Sequence, residues 1–284
     1  MIKKLLIIIF MTLITGSLHA DEKTYKMVFV PASEKGDESD YTSLISITEK
    51  LTGFNIEIIK VTDYNAAVES MRAGRAHIAW YGGKTYVKAV EIANADAFAA
   101  GVRPGEKDAG YYTYFVVKKD SELKKFKDVK GKVLSLNTIG STSGDLIPQV
   151  ELNKIGLAIK NKDHFKNIFY AGSHDACLLA VLNNQADVCG MSSRNFEARL
   201  EDGTFKSNEV RIIHKSDRVP PPPLAYSKII PEEDRKKIKK AVLEAHKHGQ
   251  IGGYGGKMSH YMEVKDSDYN VLREVIELLN KNKS

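Results

Sequence analysis

Short apolar runs alternate with amphipathic segments along most of the chain. Continuous or alternating apolar runs indicate strands, whereas apolar residues spaced three and four positions apart indicate helices. The predicted strands are 26–30, 55–60, 76–80, 111–118, 132–136, 167–170, 187–191 and 210–216. The predicted helices are 41–51, 64–73, a segment beginning near Gly83, 144–154, 174–183, 232–248 and 267–281, with a Gly-rich loop at 249–256. This alternation predicts β-α-β units and parallel sheets.

Two of the predicted strands are placed to cross between two lobes. The aromatic and β-branched segment 111–118 leads out of the first lobe, and 210–216 returns to it before the four prolines at 220–223. We therefore expect an α/β fold with two parallel-sheet lobes joined by two hinge strands. The first lobe would comprise residues 21–115 and 211–284, and the second lobe residues 116–210. Ligands of open parallel sheets bind beyond the carboxyl ends of the strands, and hinge closure would trap them between the lobes.

The N-terminus has the composition of an export signal. Lys3 and Lys4 precede the apolar run 5–14, and small residues then lead to Ala20, where cleavage is expected. The apolar run is too short for a comfortable membrane span, and no later segment is long enough to be one. Residues 1–20 are therefore predicted to be a cleaved signal peptide, and the mature chain is expected to be soluble and periplasmic.

The charge of the chain argues against a nucleic-acid partner. The formal net charge is +6 for the whole sequence and +4 without residues 1–20, which contain two lysines and no acidic residue. This small excess is spread among charges of both signs and is not gathered into a basic patch.

The cysteine pattern allows two states. Cys177 falls inside a predicted helix and Cys189 in the strand that follows it. A disulfide, which an oxidising compartment permits, and two buried thiols both fit these positions. Neither a Cys-x-x-Cys nor a His-x-x-x-His pattern occurs, so neither a metal nor a cofactor is expected.

A polar turn joins the predicted strand 132–136 to the next helix. This turn has the sequence Asn-Thr-Ile-Gly-Ser-Thr-Ser-Gly at 137–144 and includes Ser141, Thr142 and Ser143. The first N–H groups of a helix lack internal partners and carry partial positive charge, so the turn could offer both N–H and O–H donors to a small anion. An ordinary N-cap in a Ser/Gly loop would have the same composition.

Polar residues also follow three further predicted strands. These turns are residues 61–64, 80–83 and 171–174. His174 stands at a helix start, where the helix N-terminus disfavours the imidazolium form and the ring N–H suits a phosphoryl oxygen. Tyr64, Tyr81 and Tyr111 carry phenol O–H groups, which donate hydrogen bonds without adding charge. Taken singly, His174 would more often be a capping or packing residue, and the three tyrosines would more often be core or surface aromatics.

Together, these segments resemble the periplasmic phosphate/phosphite/phosphonate-binding proteins of ABC importers. The resemblance covers nearly all of the mature chain, and the combination of Ala-Trp-Tyr-Gly with Ser-Thr-Ser-Gly is its most specific part. The matching segments are Val-Thr-Asp-Tyr at 61–64, Ile-Ala-Trp-Tyr-Gly at 78–82, Gly-Tyr at 110–111, Ser-Thr-Ser-Gly at 141–144 with Pro148, Ala-Gly-Ser-His at 171–174 and Ala-Asp-Val at 186–188. The resemblance implies the two-lobed fold of a type II-like periplasmic binding protein.

The resemblance also implies a set of ligand-binding residues. In that family the phosphonate group is held by a hydroxyl triplet with its amides, by two tyrosines and by a histidine. The matching residues here are Ser141, Thr142, Ser143, Tyr64, Tyr111 and His174, with Tyr81 as a looser candidate. Members that bind aminoethylphosphonate place acidic residues around the amine, but Arg194 and Pro222 occupy the matching positions here. Arg194 would instead donate to a second anionic group or to a fully ionised phosphate, or stand as a solvated arginine at a helix start.

The resemblance implies a monomeric, non-enzymatic binding protein that captures a small phosphorus oxyanion for an inner-membrane ABC permease. Phosphonate, phosphite and phosphate are the expected ligands. Other branches of the family are associated with oxyanions such as selenate, and a periplasmic sensor subunit for a histidine kinase would share the architecture. An enzyme on this fold would require a base–nucleophile pair or a metal cluster, and the sequence shows neither pattern.

Overall fold

The structure of the protein, a computed structural model, describes residues 23–33 and 38–281. The predicted signal peptide, residues 1–20, lies outside the described residues. Within the described part, no helix combines the length and the apolar character that are needed to cross a membrane.

Strands and helices alternate through both halves of the described chain. The strands are β1 Thr24–Phe29, β2 Asn55–Ile59, β3 Ile78–Trp80, β4 Ala95–Val102, β5 Thr113–Lys118, β6 Val133–Leu136, β7 Asn167–Tyr170, β8 Val188–Ser192, β9 Val210–Lys215, β10 Leu224–Ser227, β11 Ile251–Gly253, β12 Gly256–Met258 and β13 His260–Glu263. The α-helices are α1 Glu38–Thr52, α2 Tyr64–Arg72, α3 Gly83–Ala93, α4 Ile147–Lys154, α5 His174–Leu182, α6 Ser193–Glu201, α7 Glu232–Glu244 and α8 Asn270–Lys281.

Two separate sheets form the two lobes. The first has the order β13-β4-β10-β3-β1-β2, and the second has the order β7-β6-β8-β5-β9. In the first sheet β1 pairs in parallel with β2 and β3, and in the second β6 pairs in parallel with β7 and β8. This arrangement confirms the predicted two-lobed α/β fold.

The sheets are mixed, which corrects the prediction of purely parallel sheets. β5 runs antiparallel to β8 and β9, and β10 runs antiparallel to β3 and β4. The chain leaves the first lobe and later returns to it, so strands beside the crossovers enter each sheet against the direction set by the β-α-β units.

Two crossovers connect the lobes, at residues 103–112 and 216–223. Tyr111 and Val219 pair across them, with their N–H groups donating to each other's carbonyl oxygens at 3.1 and 2.8 Å. The predicted lobe boundaries at residues 115 and 210 fall inside β5 and at the start of β9. Both strands belong wholly to the second sheet because each pairs along its length within that sheet.

Each lobe has its own hydrophobic core. In the second lobe the residues of β5 point alternately to the two faces of the sheet, so Phe115 and Val117 pack on one side and Val116 on the other. Leu134 of β6 joins the first of these clusters, and Met191 of β8 joins the second. Because the sheet is covered on both faces, only its edges and the ends of its strands remain for ligand contacts.

Cys177 and Cys189 form a disulfide that joins α5 to β8. Both residues are fully buried in the core of the second lobe. Of the two states that the sequence allowed, the structure contains the bonded one.

Candidate functional site

The hydroxyl turn begins a helix, as its sequence predicts. Ser141 is the N-cap, and its Oγ accepts a hydrogen bond from the N–H of Gly144 at 3.1 Å. A π-helical turn follows at Thr142–Leu146, and α4 continues from it with Pro148 in the first turn. The N–H groups at the start of such a turn have no acceptor inside the helix and point out of its N-terminus. Ser141 therefore has the structural role that the ordinary capping alternative proposed, whereas Thr142 and Ser143 do not cap the turn.

Thr142 contacts the opposite lobe. Its Oγ1 accepts a hydrogen bond from the N–H of Lys84, in the first turn of α3, at 2.9 Å. The ammonium group of Lys84 pairs with the carboxylate of Asp145. Thr85 adds a third contact, because its Oγ1 donates to the carbonyl oxygen of Gly140 at 2.9 Å. The N-terminus of α3 and the hydroxyl turn thus face each other across the cleft between the lobes.

His174 is the first residue of α5 and is buried beside the turn. Its N–H donates to the carbonyl oxygen of Ala32 in the other lobe at 3.2 Å, and its Nδ1 accepts from the N–H of Ser192 at 3.3 Å. Its Nε2 lies 3.5 Å from Oγ of Ser143. Burial lowers the pKa of His174 to about 3, so the ring is neutral near pH 7. Because Nδ1 is an acceptor, the ring proton is on Nε2, on the side of the turn.

Tyr111 and Tyr64 lie against the same turn. Burial raises the pKa of Tyr111 to about 12, and this rise is partly offset by hydrogen bonding with the hydroxyl groups of Ser143 and Thr142. The ring of Tyr64 packs next to Gly140, where an added methyl group would lie 3.1 Å from its Cβ. The phenol of Tyr111 is therefore neutral near pH 7, and the side chain of Tyr64 packs against the turn.

Tyr81 and Arg194 have other partners. The hydroxyl of Tyr81 donates to the carbonyl oxygen of Ala67 at 3.3 Å, inside the core of the first lobe. Nη2 of Arg194 donates to Glu106 at 3.1 Å and to the carbonyl oxygen of Ala109 at 2.9 Å. These contacts separate Tyr81 from the grouped hydroxyls and fix one side of the Arg194 guanidinium to the first crossover. Ligand binding by either residue stays a prediction.

Several residues near the cleft were missed by the sequence reasoning. Lys84 is one, and Tyr254, in the turn between β11 and β12, is another. The hydroxyl of Tyr254 donates to Oδ1 of Asn195 in α6, and its ring packs against Trp80 with centroids 4.8 Å apart. Tyr254 comes from the Gly-rich stretch that was predicted as a loop, and no local pattern distinguishes it from a surface tyrosine.

The arrangement is suited to holding a small anion by hydrogen bonds. Its donors are neutral hydroxyl groups, an imidazole N–H and helix N–H groups. All of them except the Tyr111 hydroxyl, which belongs to the first crossover, come from turns that follow strands. Among the described residues, no cluster of three or more His, Cys, Asp or Glu side chains could hold a metal ion.

Comparison with known proteins assigns the family. The profile of the family described as "ABC transporter, phosphonate, periplasmic substrate-binding protein" matches residues 27–269. The chain belongs to this family. It is a substrate-binding protein of an ABC transporter and not an enzyme, as predicted.

Similar curated proteins have related names. The phosphonates-binding periplasmic protein of Escherichia coli (strain K12) is 29% identical over 231 residues, which are 78% of this chain and 66% of that protein, just under two thirds of its length. The phosphate-import protein PhnD of Mycolicibacterium smegmatis is 25% identical over 280 residues, covering 92% of this chain and 87% of that protein.

Solved structures of the family share the fold. A binding protein component of an ABC phosphonate transporter from Pseudomonas aeruginosa superposes with a TM-score of 0.79 at 22% identity, covering 92% of this chain and 87% of that chain. PhnD1 from Prochlorococcus marinus, solved with methylphosphonate, superposes with a TM-score of 0.76 at 22% identity, covering 91% of this chain and 99% of that chain. Both agree with the two-lobed architecture described above.

Proposed function

We propose that this protein captures a small phosphorus oxyanion in the cleft at the hydroxyl turn and delivers it to an inner-membrane ABC permease, working in the periplasm. The expected ligand is a phosphonate, phosphite or phosphate. The relatives named above support this proposal, since their names refer to phosphonates and to phosphate import.

One observation carries the proposal. Four hydrogen-bond donors lie together in one buried place between the lobes. They are the O–H groups of Thr142, Ser143 and Tyr111 and the ring N–H of His174. Hydrogen bonds from such donors to an ionised oxygen are shorter and roughly twice as strong as bonds between neutral groups. A tetrahedral oxyanion presents several oxygens to one side, which suits donors arranged around the start of a helix.

The electrostatics of the site suit capture and release. The cations nearest the turn already have partners, because Lys84 pairs with Asp145 and Arg194 pairs with Glu106. The anion would therefore be held by dipoles and hydrogen bonds, without a new buried ion pair. Such contacts can be strong while the lobes are closed and can be exchanged for water when they separate.

Calorimetric titration of the mature protein with a panel of oxyanions tests the proposal. The panel contains phosphite, methylphosphonate, phosphate, sulfate and selenate, and we expect tight binding of at least one phosphorus compound. The variant Tyr111→Phe removes one donor and should weaken that binding. Tyr112→Phe is the matched control, since the neighbouring phenol instead accepts from Arg218 on the surface.

Failure of all three phosphorus compounds to bind would contradict the proposed ligand class, and tighter binding of selenate would favour the other oxyanion branch. Equal binding by the unmodified protein and Tyr111→Phe would contradict the proposed site. For the transport step, cells that lack the gene should lose uptake of the ligand that the purified protein binds.

A further inference from the structure

The carbonyl groups of the hydroxyl turn are already engaged as hydrogen-bond acceptors. The carbonyl oxygen of Gly140 accepts from Oγ1 of Thr85, and that of Ser143 accepts from Oγ1 of Thr113. The carbonyl oxygen of Ser141 accepts from the N–H of Leu146, and that of Thr142 accepts from the next N–H along the chain. Each of these oxygens already accepts one hydrogen bond, so a ligand that approached this turn with an O–H group would have to share the oxygen with the existing donor.

The carboxylate that lies within the turn is also engaged. Asp145 is buried, and its two oxygens accept hydrogen bonds from four groups. These donors are the ammonium of Lys84, the N–H of Gly140, the amide of Gln149 and the phenol of Tyr170. A carboxylate has about four lone-pair sites, so Asp145 has no acceptor capacity left for a ligand.

The other described carboxylates at the strand ends around the cleft have donors of their own. Asp63 accepts from the N–H of Ala66 at the start of α2, Glu106 pairs with Arg194, and Asp175 pairs with Arg199. Each of these three described carboxylates therefore already has a partner, and Oδ1 of Asp175, which accepts no hydrogen bond, lies buried 3.5 Å from Nε of Arg199.

The donor groups of the site, by contrast, accept hydrogen bonds from the protein, and these bonds determine where their own hydrogens point. Nδ1 of His174 accepts the N–H of Ser192, which leaves the hydrogen on Nε2. Oγ of Ser141 accepts from Gly144 and from the amide of Asn137, so both of its lone pairs are occupied. Oγ1 of Thr142 accepts the N–H of Lys84. His174 and Ser141 therefore keep a hydrogen to donate and have no acceptor site left, while Thr142 keeps a hydrogen to donate and already accepts one bond.

We propose that this site selects oxyanions by the absence of protons on their oxygens, so that it binds the fully deprotonated form of its ligand and rejects forms that carry an O–H group toward the turn. This inference rests on the proposed function and adds the ionisation state of the ligand to it. The preferred class is the dianion of a phosphonate or of phosphite, in which none of the oxygens bears a proton.

The titration of the protein does not interfere near neutral pH. Burial lowers the pKa of His174 to about 3, and the pKa of Tyr111 is raised to about 12. The charged groups nearest the turn are paired with each other, Lys84 with Asp145 across the cleft and Arg194 with Glu106. The dependence of affinity on pH between these limits should therefore follow the second acid dissociation of the ligand.

Charge alone would also favour a dianion, so the test requires two ligands of equal charge. Below its second pKa, methylphosphonate is a monoanion with one O–H group. Methanesulfonate has nearly the same shape and the same single charge, but all three of its oxygens lack protons. Calorimetric titration of the mature protein with both compounds, at pH values from about 5 to 8 that span the second pKa of methylphosphonate, separates the effect of the proton from that of the charge.

The expected results follow from the donor-only arrangement. The affinity for methylphosphonate should fall about tenfold for each pH unit below its second pKa, while that for methanesulfonate stays constant. In the acid range, methanesulfonate should bind roughly ten- to a hundredfold more tightly than methylphosphonate, because a buried O–H group would be left without an acceptor.

The variant Lys84→Met provides an acceptor by releasing Asp145. In the acid range this variant should narrow the difference in affinity between monoanionic methylphosphonate and methanesulfonate. The lost lysine charge does not affect this comparison, because both ligands carry the same charge. Lys88→Met is the matched control, since Lys88 lies one turn further along α3 and donates to Asn65 on the surface. An unchanged difference in Lys84→Met would overturn the role given to Asp145.

The failure of the inference is distinguishable from that of the proposed function. If methylphosphonate binds, but its monoanion binds as tightly as methanesulfonate, the selection against protons is overturned and the proposed function stands. If methylphosphonate, phosphite and phosphate all fail to bind at every pH, the proposed function is overturned as well.

Discussion

The N–H of Lys84 donates to Oγ1 of Thr142 at 2.9 Å, which joins the start of a helix in one lobe to the hydroxyl turn in the other. This single bond gives Thr142 two tasks, since the same hydroxyl group can donate its hydrogen to an oxyanion. Ligand binding and contact between the lobes therefore meet at one side chain. Mutations in the turn should separate residues that act on the ligand from residues that support the fold.

Thr142→Ala should weaken binding much more than it weakens the fold. Loss of one hydrogen bond to a charged group should reduce affinity roughly ten- to a hundredfold, while the free energy of unfolding changes by about 1 kcal/mol or less. Ser141→Ala should instead cost about 1 kcal/mol of unfolding free energy, because Ser141 is the N-cap. Calorimetry and urea unfolding of both variants test this contrast. A Thr142→Ala protein that binds normally but is less stable would show that Thr142 is structural.

His174 should make the protein less stable as the pH falls. Its pKa is about 3 in the folded protein and 6.5 for an unperturbed histidine, so the unfolded chain binds more protons between these values. Stability should therefore decrease as the pH falls from about 6.5 toward 3. Thermal unfolding between pH 7 and 4 should show a smaller decrease for His174→Gln, whereas His248→Gln, on the surface, should behave like the unmodified protein. Equal decreases in the unfolding temperature of all three proteins would contradict the assignment of a buried, neutral imidazole to His174.

The disulfide between Cys177 and Cys189 should stabilise the second lobe. The two residues are 12 positions apart, and closing a loop of about 15 residues contributes about 3 kcal/mol by constraining the unfolded chain. The double variant Cys177→Ala with Cys189→Ala should lower the free energy of unfolding by about this amount in urea denaturation. The same midpoint for the variant and the oxidised protein would argue against a stabilising bond.

Aminoethylphosphonate should bind less tightly than ethylphosphonate. An ammonium group near Arg194 would lack a counter-charge, because Glu106 is already paired with that arginine, and we expect a difference of roughly tenfold or more. Arg194→Met should narrow this difference in affinity, because it releases Glu106 to pair with the ammonium group. Arg218→Met is the control, since Arg218 pairs with Asp108 on the same crossover but is more exposed. Tighter calorimetric binding of aminoethylphosphonate by the unmodified protein would contradict the prediction.

Local sequence patterns were sufficient to predict features in which a side chain acts on its own segment of the chain. The sequence placed a helix after Asp63, and in the structure Asp63 caps α2 by accepting from the N–H of Ala66. It also placed the hydroxyl turn at a helix start, where the π-helical turn Thr142–Leu146 begins. In both cases the signal is a polar side chain beside the N–H groups that it satisfies, so it lies within a few residues of the chain.

Features that depend on partners far away in the sequence were not predicted. β4, with the sequence Ala-Asp-Ala-Phe-Ala-Ala-Gly-Val, was not predicted, because alanine and glycine are depleted in strands. It forms a strand because it pairs with β10 on one side and with the edge strand β13 on the other. Lys84 was missed for the same kind of reason, since its partner Thr142 is 58 residues away in the sequence.

Tyr111 belongs to the crossover and to the site at the same time. Its backbone pairs with Val219, and its phenol meets the hydroxyl groups of Ser143 and Thr142. When one body rotates against another, each atom moves in proportion to its distance from the axis. A phenol attached to the paired crossovers has a short lever arm, so it keeps its position better than donors mounted far out on either lobe. The hydroxyl of Tyr111 should therefore move least when an anion binds, while the other donors move toward the anion as the lobes close.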